Sequence, residues 1–119
     1  MRKKKSKKTK VSVRQKLFSY GTIQNEDVQE KILGKRLKGE RAVLTGYVLG
    51  QVYADGGFYP CIFLSEKYDK HVFGTVFEVS EKDLKKLDEY ESEAYRRQNV
   101  IVYTESEHVA ECVAYVENK

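Results

Sequence analysis

HVFGTVFEVSEKDLKKLDEYESEAYRR, residues 71–97, changes its apolar pattern partway along. From His71 to Val79 it is rich in β-branched and aromatic residues, the composition of a strand. Ser80 then stands where a helix begins, with Asp83 at the third helical position to complete a reciprocal cap. From there Leu84 and Leu87 recur at helical spacing, and the helix runs to about Tyr90. Arg96 to Tyr103 returns to a strand. A strand, a capped helix and another strand follow one another here, and over the whole chain the order β-α-β-β-β-α-β-β, with most strands consecutive, argues for the α+β class.

The same helix raises a question of chemistry. At about 100° per residue, Leu84, Leu87 and Glu91 share one stripe, and leucines face a core. Glu91 is therefore either a helix-end residue reaching water or a partly desolvated carboxylate with a task. Asp88 and Glu89 read as one charged turn of a solvated flank. Tyr90 and Tyr95 read as core edge or pocket wall. Of the pair Arg96-Arg97, one is expected to point outward and one to pair with an acid.

Upstream, Leu17-Phe18-Ser19-Tyr20 is a short apolar strand that stops at Gly21-Thr22. Asn25 caps a helix with acids in its first turn, Val28, Ile32 and Leu33 on its buried stripe and Gly34 as its stop. Arg41 to Tyr53 reads as strand with bends or bulges at Gly46 and Gly50. Asp55-Gly56-Gly57 is a turn, and Phe58 to Leu64 resumes strand. Val109 to Val116 closes the chain. With two helices and mostly consecutive strands, a doubly wound parallel sheet is disfavoured, and a largely antiparallel or mixed sheet is expected.

Bulk properties narrow the function classes. The 119 residues suit one domain with one core. No apolar run approaches the roughly 18 residues of a membrane span, and the charged N-terminus has no apolar segment behind it to make a secretory signal. A cytoplasmic protein is expected. Cys61 and Cys112 lack zinc-ligand spacing and read as reduced, buried strand residues. Two histidines, His71 and His108, cannot build a histidine-rich metal cluster, so no metal site is expected. Residues 1–16 hold nine of the 22 Lys and Arg and no acid. The remainder carries 13 basic and 18 acidic side chains, a formal charge of −5. Residues 1–16 thus read as a basic disordered arm on a domain spanning 17–119. Such an arm is either a solubilising tail or a phosphate-binding one, and nucleic acid would be held through it alone.

Tyr20-Gly21-Thr22-Ile23 joins a buried strand to a helix start, where free backbone N–H groups suit a carboxylate or another anion. Tyr20-Gly21-Thr22, the Gly56-Gly57-Phe58-Tyr59-Pro60 turn, Val72-Phe73-Gly74-Thr75-Val76-Phe77 and Leu87-Asp88-Glu89-Tyr90-Glu91 followed by Tyr95-Arg96-Arg97 occur in this order. In that combination the chain resembles the γ-glutamylcyclotransferase-like family, which includes γ-glutamylamine cyclotransferases and avirulence-induced plant proteins. The resemblance covers residues 17 to about 116. It implies a compact β-barrel-like α+β fold enclosing a pocket, with about two helices. It also implies a substrate loop at Tyr20, Gly21, Thr22 and Ile23, a catalytic Glu91, and pocket tyrosines at Tyr95 and Tyr115.

The family's reaction is intramolecular: the α-amine of a γ-glutamyl compound attacks the γ-carbonyl, 5-oxoproline forms and an amine or amino acid leaves. No cofactor is implied. Two residues depart from the family pattern: Ile23 where leucine is usual, and Ser92 where glycine most often follows the glutamate. An alternative reading is a non-catalytic module of the same fold that holds a small acidic or amino-acid ligand.

Overall fold

The structure, a computed structural model, describes residues 15–65, 67 and 69–118. Residues 1–14, most of the basic arm, lie outside them. The first strand, β1 (Gln15–Ser19), takes in Gln15 and Lys16, which the sequence reading had placed in the arm. A single 3₁₀ turn (Thr22–Gln24) and helix α1 (Glu26–Leu33) follow. Then come β2 (Gly39–Thr45), β3 (Tyr47–Ala54), β4 (Gly57–Leu64) and β5 (His71–Val79). Helix α2 (Glu81–Glu91) precedes β6 (Tyr95–Thr104) and β7 (Val109–Glu117).

Five strands close into a barrel in the order β1-β5-β2-β6-β7, while β3 and β4 form a separate hairpin. The barrel pairings are antiparallel except at the closure, where β1 meets β7 in parallel at Leu17 opposite Val113. The α+β class, the mixed sheet and the two helices are thus as the sequence implies. The stretch from Arg41 to Tyr53, expected to be broken at Gly46 and Gly50, is two strands parted at Gly46 alone. Gly46, at φ 86°, breaks it, sending β2 into the barrel and β3 into the hairpin. Gly50 is no bend: it continues β3 opposite Cys61, beneath the Phe63 ring that a Cβ would approach to 3.0 Å.

Alternation along β1 divides the core. Phe18 points into the barrel with Leu44, Val72, Val76 and Val102, while Leu17 points out to Ile23, Leu33, Leu84 and Leu87 beneath the helices. Gly74 makes room at this junction, since a Cβ there would lie 2.8 Å from Phe18 Cζ and against the Ser19 carbonyl. Cys61 and Cys112 are both free and buried, as expected. Each helix has the predicted start. Asn25 accepts from Asp27 N–H and Val28 N–H at 2.8 and 3.2 Å. At α2, Ser80 Oγ accepts from Asp83 N–H and Asp83 Oδ2 from Ser80 N–H, both at 3.0 Å. Burying Leu84 and Leu87 completely then fixes which side of α2 faces the barrel.

Candidate active site

Where β1 ends, α2 ends and the β3–β4 hairpin turns, the three elements leave a cavity of about 350 Å³. Tyr20, Gly21, Thr22, Ile23, Glu91, Tyr95 and Tyr115, the residues singled out from sequence, all line it. Tyr59, Pro60 and Tyr90 complete much of the wall.

The Tyr20–Ile23 segment is held from behind. Buried Gln29 donates from Nε2 to the Ile23 carbonyl at 2.7 Å and accepts Leu37 N–H on Oε1 at 2.7 Å, pinning the segment to α1 and its following loop. The Ile23 side chain belongs to the core under the helices, so the segment offers its backbone to the cavity. Among the described residues, the N–H groups of Thr22 and Ile23 have no acceptor. The Thr22 hydroxyl lies 2.8 Å from the Tyr90 hydroxyl, tying the segment to the last turn of α2. Gly21 has φ −129°, ordinary for any residue, and open space where a Cβ would be. Its value here is therefore that open space and not a left-handed backbone.

Glu91 is the last residue of α2 and is half-buried. Among the described residues its carboxylate makes no hydrogen bond or ion pair. Burial pushes its carboxyl up to about 7. Its position at the negative end of a helix dipole, with no basic residue in the last turn, acts in the same direction. It is neither beyond the helix nor free in water.

Of the five tyrosines lining the cavity, Tyr20, Tyr95 and Tyr115, by contrast, each donate to an acceptor. Tyr20 donates to the Tyr115 carbonyl at 2.6 Å, Tyr95 to the Pro60 carbonyl at 2.6 Å, and Tyr115 to Asp88 Oδ1 at 2.7 Å. Burial pushes the Tyr95 phenol up to about 12 and raises those of Tyr20 and Tyr115 as well. All three stay protonated at neutral pH; of the two carboxylates that line the cavity, Asp55 is exposed and Glu91 is half-buried. No group of three or more His, Cys, Asp or Glu among the described residues is placed to hold a metal.

Two sequence expectations need correcting or completing. Asp88 is not a free member of a solvated flank. Arg97 grips it with Nε to Oδ1 at 2.9 Å and Nη2 to Oδ2 at 2.7 Å, which together with Tyr115 gives it three hydrogen bonds. Arg97 is thus the arginine that pairs an acid, while Arg96 is exposed. Ser92, just after Glu91, has φ 65° and ψ −172°, a region that glycine alone occupies at low cost. This backbone suits the glycine that the family resemblance implies at this position better than it suits serine.

The family model described as gamma-glutamyl cyclotransferase, AIG2-like, matches residues 17–119. The chain belongs to this family. Among curated proteins, no sequence matches it. Solved structures of similar shape include an Arabidopsis thaliana protein determined in solution, 29% identical with a TM-score of 0.75, covering 91% of this chain and 66% of its own. A mouse AIG2-like protein is 23% identical, with a TM-score of 0.65 and coverage of 87% and 76%. A yeast γ-glutamyl cyclotransferase specific to glutathione shares 10% identity, a TM-score of 0.70 and coverage of 90% and 69%. At such identities the mouse and yeast structures establish a common fold. The chain spans about two thirds of the length of the Arabidopsis protein. Among the described residues, no helix of this AIG2-like cyclotransferase-family chain is long and apolar enough to cross a membrane.

Proposed function

We propose that the chain is a γ-glutamyl cyclotransferase with Glu91 as its general acid and base. The substrate's carboxylate, or the oxyanion developing on its γ-carbonyl, is held by the free N–H groups of Thr22 and Ile23. Glu91 takes a proton from the substrate α-ammonium. The freed amine attacks the γ-carbonyl and closes the five-membered ring. Glu91 returns that proton to the leaving nitrogen, takes the second proton from the ring nitrogen as the bond from that carbon to the leaving nitrogen breaks, and passes it to the departing amine, which leaves in its ammonium form. Substrate becomes 5-oxoproline plus an amine or amino acid, with no water consumed. Because nucleophile and electrophile are in one molecule, the protein's tasks are to hold the folded rotamer and to move the proton.

The observation that carries this reading is the isolation of Glu91: among the described residues its carboxylate has no protein partner, in a cavity where Tyr20, Tyr95 and Tyr115 each already donate to an acceptor. An acid near 7 is close to the operating pH, where a group serves best as both base and acid. The test is a panel of γ-glutamyl amino acids, γ-glutamyl amines and γ-glutamyl-lysine, scored for 5-oxoproline release. Release from at least one that is lost in Glu91→Gln supports the reading. Binding without release makes the chain a ligand-holding module.

A further inference from the structure

We propose that Asp88 is a positioning residue for this cyclisation: gripped by Arg97, it takes the hydroxyl of Tyr115 and so fixes the cavity wall and, through the Tyr115 carbonyl, the Tyr20 hydroxyl. The inference rests on the cyclotransferase reading and adds a supporting layer beneath its site.

The register of the barrel makes the assembly. Arg97 on β6 lies directly opposite Tyr115 on β7, so the two side chains share one face of the sheet. Helix α2 lies over that face, with Asp88 one turn before Glu91. Arg97 spans both Asp88 oxygens and also reaches Glu81 at 3.0 Å, fixing α2 to the barrel at two points along its length. Gln15 at the start of β1 donates to the same Glu81 at 2.7 Å. The chain of contacts therefore runs Glu81, Arg97, Asp88, Tyr115, Tyr20, from the solvent face of α2 to the root of the substrate loop.

A surface ion pair alone would contribute little. Asp88 differs because its third hydrogen bond is accepted from a 5%-exposed tyrosine that lines the cavity. The same hydroxyl already meets the Leu84 carbonyl at 3.3 Å, so without Asp88 it would settle on that longer bond alone and the ring would shift toward it. A wall displaced in this way spoils the alignment of amine and carbonyl without removing a reacting group.

The experiment is a double-mutant cycle on the full chain with Asp88→Asn, Tyr115→Phe and their combination. It reads kcat, KM, the pH profile of kcat/KM, and the Kd for 5-oxoproline by calorimetry. Each single variant is expected to lose about tenfold in kcat/KM, mostly in kcat, and the double variant no more than either single. The rise of activity near pH 7 should stay in place, because Glu91 is still buried. Should Asp88→Asn not fold, Arg97→Gln, which releases the same carboxylate, takes its place in the cycle.

Additive losses overturn the proposal, as do parental kcat/KM and Kd in Asp88→Asn. A displaced pH profile overturns it too, since Asp88 would then act on Glu91 by charge. If the parent binds 5-oxoproline but releases none from any substrate, the cyclotransferase reading fails, and the same cycle in Kd decides the positioning role. A parent that neither binds nor turns over refutes both.

Discussion

The two ends of α2 are built on opposite principles. At its start the capping groups are paired: Ser80 and Asp83 cap each other, and Asp83 also accepts from Lys35 Nζ at 3.1 Å. At its end Glu91 has no partner among the described residues, Ser92 is in a backbone region meant for glycine, and no basic residue in the last turn offsets the helix dipole. The titration behaviour is opposite as well. Burial works against the Asp83 carboxylate, but hydrogen bonds from Ser80 and Lys35 outweigh it and hold that carboxyl below its usual range. At Glu91 burial acts unopposed and raises it. One end secures the helix; the other holds a reactive group in a state the fold does not favour.

The largest test of this contrast is Glu91→Gln, which keeps shape and reach but cannot accept a proton. Turnover is expected to fall by about 10²–10⁴, since that is the usual contribution of a general base. Parental kcat/KM should rise with pH through about 7 as Glu91 ionises, and Glu89→Gln should leave that profile nearly unchanged. Near-parental 5-oxoproline release by Glu91→Gln would remove the main support for the enzyme.

The same variant tests the energetic side. A carboxyl held near 7 in the fold and at 4.5 in the unfolded chain binds more protons when folded between those values. Stability of the parent is therefore full below about 4.5 and declines as pH rises to 7. The decline corresponds to about 3 kcal/mol as an upper figure. Glu91→Gln carries no such penalty, so the two proteins should melt together at pH 4.5 and separate by pH 8, with the variant higher. Denaturant melts at the two pH values measure the gap; an equal gap at both would mean that Glu91 is solvated.

How much of this was legible beforehand depended on distance along the chain. The α2 capping box, the leucine stripe and Glu91 upon it all lie within Ser80 to Glu91, and the sequence exposes them because helical geometry is local. Asp88 was misread because its partners come from other elements: Arg97 is nine residues on and Tyr115 is 27, brought together by a β6–β7 register that no local pattern encodes. Gly46 and Gly50 look alike in sequence, yet one turns the chain between sheets and the other receives the Phe63 ring. Gln29 gave no signal, since a buried glutamine is recognisable only once the backbone groups it joins are adjacent.

A smaller effect is expected at the secure end. Asp83→Ala removes the acceptor of Ser80 N–H and the partner of Lys35, and leaves Ser80 to cap alone. The cost should be about 1–2 kcal/mol, within the range of lost caps. Stability from Asp83 is present above the carboxylate's unfolded pKa and lost on acidification, so the gap to the parent should shrink as pH falls, the reverse of Glu91→Gln. A gap constant with pH would mean that the carboxylate's charge contributes nothing.

The smallest effect, and the one that isolates backbone from side chain, is at Ser92. Its φ of 65° with ψ near 180° costs a residue with a Cβ about 1–3 kcal/mol. Glycine removes that strain but brings more unfolded-chain entropy, about 0.5–1 kcal/mol. It also forgoes only a long 3.4 Å bond from Ala94 N–H to Ser92 Oγ. The strain is the larger quantity, so Ser92→Gly should stabilise by about 1 kcal/mol and leave Glu91 in place with parental turnover. Ser92→Ala keeps the Cβ and loses the hydroxyl, so it should be no more stable than the parent. If alanine stabilises as much as glycine, the gain comes from the side chain, and the end of α2 carries no backbone strain.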